Sequence, residues 1–126
     1  MGEAYIHTQN VALFKMVTIY KQDLDNEIKN IDNFTISPDL KPCKDEYKLG
    51  LLNEYNAATF MKSGINQLTS GNLANSVAIM ELGTDELRSA NDHFDNATLL
   101  LKAYNSAHPG SQLDIVFMHH NVAPKE

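Results

Sequence analysis

Apolar residues recur along this chain at steps of three, four and seven, the spacing that gathers them on one stripe of an α-helix. Ile6, Leu13, Val17, Tyr20, Leu24, Ile28 and Ile31 form the first stripe, and no proline interrupts residues 3–33. The spacing predicts one helix over 3–33. It stops in Asn33-Phe34-Thr35-Ile36-Ser37-Pro38, because the residue before a proline is pushed out of the helical region. Ser37-Pro38 reads as an N-cap followed by proline at the first position of a short helical piece. The second helix spans 42–69, with the stripe Tyr47, Leu51, Tyr55, Ala58, Met61, Ile65 and Leu68. Ser70-Gly71-Asn72 is a short breaker suited to joining antiparallel helices. The third helix spans 73–107. Its stripe is Leu73, Val77, Met80, Leu87, Phe94 and Leu101, with Gly83, Ala90, Ala97 and Tyr104 between them. The phase holds through Gly83, so the helix is read as continuous up to His108-Pro109-Gly110. Residues 113–118 fit either a short fourth helix or an extended run.

Three helices of similar length joined by short loops must run up, down and up. The fold class is therefore all-α. It is an up-down-up bundle of three long antiparallel helices in one domain over 1–126, with the segment 111–120 expected to pack back on it.

Small residues suggest how two of these helices meet. They recur every seven positions on the second helix, at Gly50, Ala57 and Gly64, and on the third, at Gly83, Ala90 and Ala97. An antiparallel hairpin would oppose Gly50 to Ala97, Ala57 to Ala90 and Gly64 to Gly83, about a midpoint between residues 73 and 74. Glycine inside a helix costs ~1 kcal/mol relative to alanine, and close approach of two backbones can offset it. Phe94 and Met80 are expected to pack beside this seam.

Composition narrows the function. The chain has 126 residues, with 10 Lys+Arg against 16 Asp+Glu and a net charge of −6. That balance argues against a nucleic-acid or anionic-membrane surface. A single cysteine excludes an internal disulfide and a thiolate metal cluster. No apolar run approaches the ~20 residues of a membrane-spanning helix.

The candidate chemistry is sparse. Glu3 and His7 share a face of the first helix, and His93 lies beside Asp92 and near Asp95, yet no Glu-x-x-His pair of a di-metal bundle occurs. His7, His93, His108, His119 and His120 are expected to be solvated, with His93 on the flank of its helix. Glu81, Asp85, Glu86, Asp92 and Asp95 read as a solvated acidic face. Cys43 precedes Tyr47 by one turn on the same stripe and is expected to be buried and unreactive. Tyr47, Phe34 and Tyr104 could meet at one end of the bundle, though core packing accounts for them. Asn33-Phe34-Thr35 and Asn96-Ala97-Thr98 are N-glycosylation acceptor sequences at the frequency chance gives. No catalytic, cofactor-binding or metal-binding residue is assigned, and no cofactor is expected.

An ordered series of motifs carries a resemblance. Ser37-Pro38-x-Leu40 is followed by Asp45-Glu46-Tyr47, by Gly64 and Ser70-Gly71-Asn72-Leu73, and by Ala78-x-x-x-Leu82-Gly83 and Leu87-x-x-Ala90. Over residues 13–104 the series resembles a helical domain of extracytoplasmic proteins and lipoproteins of archaea and bacteria, mostly of unassigned function. The resemblance implies a helical fold and a place outside the cytoplasm. It implies no catalytic residue. Met1 as a native start would instead mean a cytoplasmic chain.

Val11, Phe14 and Ile19 are apolar and lie off the first stripe, so they call for a cover. That cover is either residues 113–118 or another chain, and a protein partner or a homodimer through this face is the expected association. The expected function is a non-enzymatic helical interaction or spacer module. The alternative is a ligand-binding sensory bundle of a signalling protein.

Overall fold

The computed structural model describes residues 2–110, with side chains from residue 8 onward. Helix α1 covers Gly2–Asn33, a 3-10 turn covers Pro38–Leu40, α2 covers Lys41–Thr69 and α3 covers Leu73–Ala107. The three helices pack as an antiparallel bundle, and α3 runs unbroken through Gly83. Residues 113–118, the expected fourth element, lie outside the described residues. The Ser37 hydroxyl accepts the Asp39 backbone N–H at 3.3 Å, so the cap read from Ser37-Pro38 is formed. At the other hairpin Gly71 takes φ +83°, the left-handed region open to glycine. Gly71 N–H then bonds Leu68 C=O at 3.0 Å and Asn72 N–H bonds Gln67 C=O at 2.8 Å. That pair of bonds is a Schellman closure, and it turns the chain within three residues.

Helices α2 and α3 meet through their small residues, in a register one heptad closer to the turn than the seam predicts. The Cys43 thiol donates to Ala97 C=O at 3.3 Å, and the Ser76 hydroxyl donates to Gly64 C=O at 2.7 Å. The Ala57 carbonyl oxygen lies 3.4 Å from where a Cβ on Gly83 would stand. Each of these pairs is equidistant from Ser70, at the centre of the turn. The slip has a physical cause. Cys43 and Ser76 are also small, so each row runs a heptad further: Cys43, Gly50, Ala57, Gly64 against Ser76, Gly83, Ala90, Ala97, all buried. The three-residue turn then selects the register whose midpoint it contains. Phe94 and Met80 do not pack beside the seam but on it: a Cβ on Gly50 would overlap the Phe94 ring, and one on Gly64 would stand 2.8 Å from the Met80 methyl.

Helix α1 lies along α2 in a register centred on Ser37, with Tyr20 against Glu54 and Glu27 against Tyr47. Its buried positions recur every seven residues at Asn10, Val17, Leu24 and Ile31. Leu24 and Ile31 join Tyr47, Leu51, Phe94 and Leu101 in the main core, while Val17 packs with Ala58 and Ile65 nearer the α2–α3 turn. Three stripe residues depart from expectation. Leu13 is 46% exposed because Asn10 and Val17 hold the inward positions on either side of it. Leu73 and Val77 are also exposed, since the inward position of the first turn of α3 belongs to Ser76, which bonds to Gly64.

The seam yields a graded prediction. Gly50→Ala should lower stability by ~1–3 kcal/mol, because the rigid Phe94 ring must move. Gly83→Ala meets only ordinary contacts and should be neutral, or raise stability by up to ~1 kcal/mol through helix propensity. Gly83→Leu should destabilise by at least ~1–3 kcal/mol through overpacking. Urea unfolding of the three variants measures this, and equal effects of alanine at 50 and 83 would contradict it.

Candidate functional site

The most unusual chemistry lies between α1 and α2. Glu54 is fully buried at 0% exposure, a rare state for a carboxyl side chain. The Tyr20 hydroxyl donates to Glu54 Oε2 at 2.5 Å. One heptad along, the Tyr47 hydroxyl donates to Glu27 Oε1 at 3.2 Å. Each helix carries a Tyr and a Glu seven residues apart, Tyr20 with Glu27 and Tyr47 with Glu54. Antiparallel packing about Ser37 sets each Tyr against the other helix's Glu. Burial, with the facing Glu54, raises the Tyr20 pKa above the tyrosine range; burial, with the facing Glu27, does the same for Tyr47. Apolar periodicity alone does not mark Glu54. Its signal was positional: Tyr47, Leu51, Ala58, Met61 and Ile65 alternate steps of three and four only if residue 54 is counted in.

A second polar row edges the α2–α3 seam. His93 Nδ1 lies 2.5 Å from Glu46 Oε2, and Asn53 Nδ2 donates to Glu86 Oε2 at 2.6 Å. His93 is on the flank of its helix, as its position next to Phe94 predicts. It is only partly solvated, because the close seam brings Glu46 over it and leaves its side chain 30% exposed. His108 likewise stacks on Tyr104, with ring centroids 4.1 Å apart, and shares a 2.9 Å bond with Tyr104 C=O through Nδ1. The side chain of His7, and His119 and His120, lie outside the described residues. Asp85 on the acidic face pairs with Arg88 at 3.0 Å across exposed surface, a contact worth at most ~1 kcal/mol. Among the described residues no group of three His, Cys, Asp or Glu side chains is placed to hold a metal ion.

The aromatic grouping forms only in part. Phe34 and Tyr47 line one recess together with Glu27, Asn30, Ile31 and Asn33 at the α1–α2 end of the bundle. Tyr104 is not in it and stacks on His108 instead. Tyr47 also meets the Phe94 ring at 5.4 Å, so its role in the core is realised. Cys43 is buried with its thiol on Ala97 C=O, and burial raises its pKa. Phe14 is half-buried: it packs on the Val17 cluster, and the Lys62 ammonium sits 4.9 Å over its ring. It therefore leaves the outward face assigned to it from the sequence. Val11 and Ile19 remain on that face.

No protein-family model, curated protein or solved structure matches this chain.

Three outcomes follow from this geometry. Tyr20→Phe removes the donor to a buried carboxyl and should cost ~1–3 kcal/mol. Adding Glu54→Leu to that variant should recover most of the loss, because it removes the buried polar group as well. Chemical denaturation of the single and double variants decides between this and independent, additive losses. For the pH response, the folded chain holds the Tyr20 and Tyr47 protons more tightly than the unfolded chain, whose tyrosines ionise near pH ~10. Their contribution is complete below pH ~10 and lost as pH rises beyond it. Tyrosinate absorbance should show two of the five tyrosines ionising only as helicity is lost, whereas simple titration of all five in the folded state would contradict this. Cys43 should resist a thiol reagent under native conditions and react fully in denaturant; rapid native labelling would count against its burial.

Proposed function

We propose that this chain is a non-enzymatic helical interaction module that acts outside the cytoplasm. One observation carries the interaction reading: large apolar side chains stand exposed on the outer face of α1 and the first half of α3. Met16 is 66% exposed, Ile19 56% and Leu73 63%, with Val11, Val77 and Leu82 also open. Among the described residues the core clusters form without them, and exposed apolar surface marks sites of association. The extracytoplasmic placement rests on the resemblance over residues 13–104. Among the described residues no helix is long and apolar enough to cross a membrane.

A ligand-binding sensory bundle is the second reading. The recess formed by Phe34, Tyr47, Glu27 and Asn30 favours it, since it joins aromatic surface to polar groups at one end of the bundle.

Site-specific photocrosslinking in the cells that make the protein tests the first reading. A photoreactive residue at position 16, 19 or 77 should give a discrete protein adduct, and one at Lys29, which pairs with Asp25 on exposed surface, should not. Absence of adducts from all three apolar positions would overturn the interaction reading.

A further inference from the structure

Rows of residues four apart form the ridges by which helices most often pack on one another. One such row on the outer face of α1 is Lys15, Ile19 and Asp23, and all three are exposed. Ile19 stands at its centre, with a cation one turn before it and an anion one turn after. Most charges near the helix contacts are already answered within the chain: Lys29 pairs with Asp25, Lys48 with Asp32, and the Lys21 and Lys62 ammoniums sit over the Tyr55 and Phe14 rings. Lys15 and Asp23 take part in no ion pair or hydrogen bond among the described residues.

We infer that the outer face of α1 is the seat of a second copy of this chain, packed antiparallel about a two-fold axis at Ile19. Under that symmetry Ile19 meets its own equivalent. Lys15 then stands level with Asp23 of the other copy, and Asp23 with Lys15. The pattern is self-complementary, as a two-fold interface requires. Parallel packing in register would set Lys15 on Lys15 and Asp23 on Asp23 and is disfavoured. The row spans about 12 Å of helix. A contact of that length falls below a standard interface, so the dimer is a concentration-dependent one.

This inference rests on the interaction reading above and adds the identity of the partner. Sedimentation equilibrium of the full chain over a range of concentrations, with charge-reversed variants, tests it. The unaltered chain should self-associate. Lys15→Asp and Asp23→Lys should each weaken association by about tenfold or more, since each creates two like-charge contacts. An equimolar mixture of the two single variants should associate again, because one copy then carries only acids and the other only bases at these positions. The double reversal should restore self-association. Circular dichroism of each variant confirms an unchanged fold, which these exposed sites should tolerate. A chain that stays monomeric at every concentration overturns the inference, as do single reversals without effect or a mixture that fails to pair. If the chain is monomeric yet position 19 crosslinks to a protein of different mass, self-association alone is overturned and the interaction reading stands. Without any adduct, both fall.

Discussion

Helices α2 and α3 can lie as close as they do only because eight facing positions carry side chains no larger than a thiol or a hydroxymethyl group. Everything else in the bundle is arranged around that approach. It brings Phe94 onto Gly50 and Met80 onto Gly64, where two large side chains fill the space that glycine leaves. It lets the Cys43 thiol and the Ser76 hydroxyl reach backbone carbonyls on the opposite helix. It also folds Glu46 over His93 and Asn53 over Glu86 along one edge. The helix-propensity cost of Gly50, Gly64 and Gly83 is ~1 kcal/mol each. Dispersion contacts along a seam of this length are individually small and collectively large enough to offset it.

Helix α1 solves a different problem. It packs chiefly against α2, and its buried residues repeat every seven positions, so apolar packing alone would tolerate a slide by one heptad. The Tyr20–Glu54 and Tyr47–Glu27 bonds are not tolerant in this way. A slide of one heptad would part both pairs and leave Glu54 buried without its tyrosine, at a cost of ~3–5 kcal/mol if its charge were left uncompensated. A buried carboxyl is a poor source of net stability, and an apolar residue there would hold α1 at least as tightly. What the pair supplies is a single register. The outward face of α1, which carries Lys15, Ile19 and Asp23, follows from the seven-residue repeat of its buried positions.

The helices were legible in the sequence because their signals are local. Periodicity, Ser37-Pro38 and the glycine at 71 each act within a turn or two of chain, and helix bounds follow within a residue or two. The existence of the α2–α3 seam was legible for a related reason, since glycine every seven residues has few other causes. Its register was not. Reading only Gly and Ala as small hid Cys43 and Ser76, and with them the heptad that places the midpoint at Ser70. Apolar character alone places Leu13, Leu73 and Val77 inward, whereas Asn10 and Ser76 hold the inward positions. Glu54 is illegible for the converse reason: it is a charged residue on a stripe that its position completes. His93 was placed on the correct flank, but only the interhelical approach could show that Glu46 would cover it. Outward-facing Val11 and Ile19 are legible, and Phe14 is not, because Lys62, Ala58 and Ile65, which draw it inward beside Val17, come from α2.

If the small-residue seam is the constraint on which the bundle depends, α2 and α3 form the most persistent unit and α1 is added to it. Native-state hydrogen exchange measures this directly, amide by amide. The account predicts that amides of α2 and α3 flanking Gly50, Ala57, Gly83 and Ala90 exchange only through global unfolding, while those around Val17 and Leu24 in α1 exchange earlier through a separate opening. Equal protection of all three helices, or faster exchange at the seam than in α1, would contradict it.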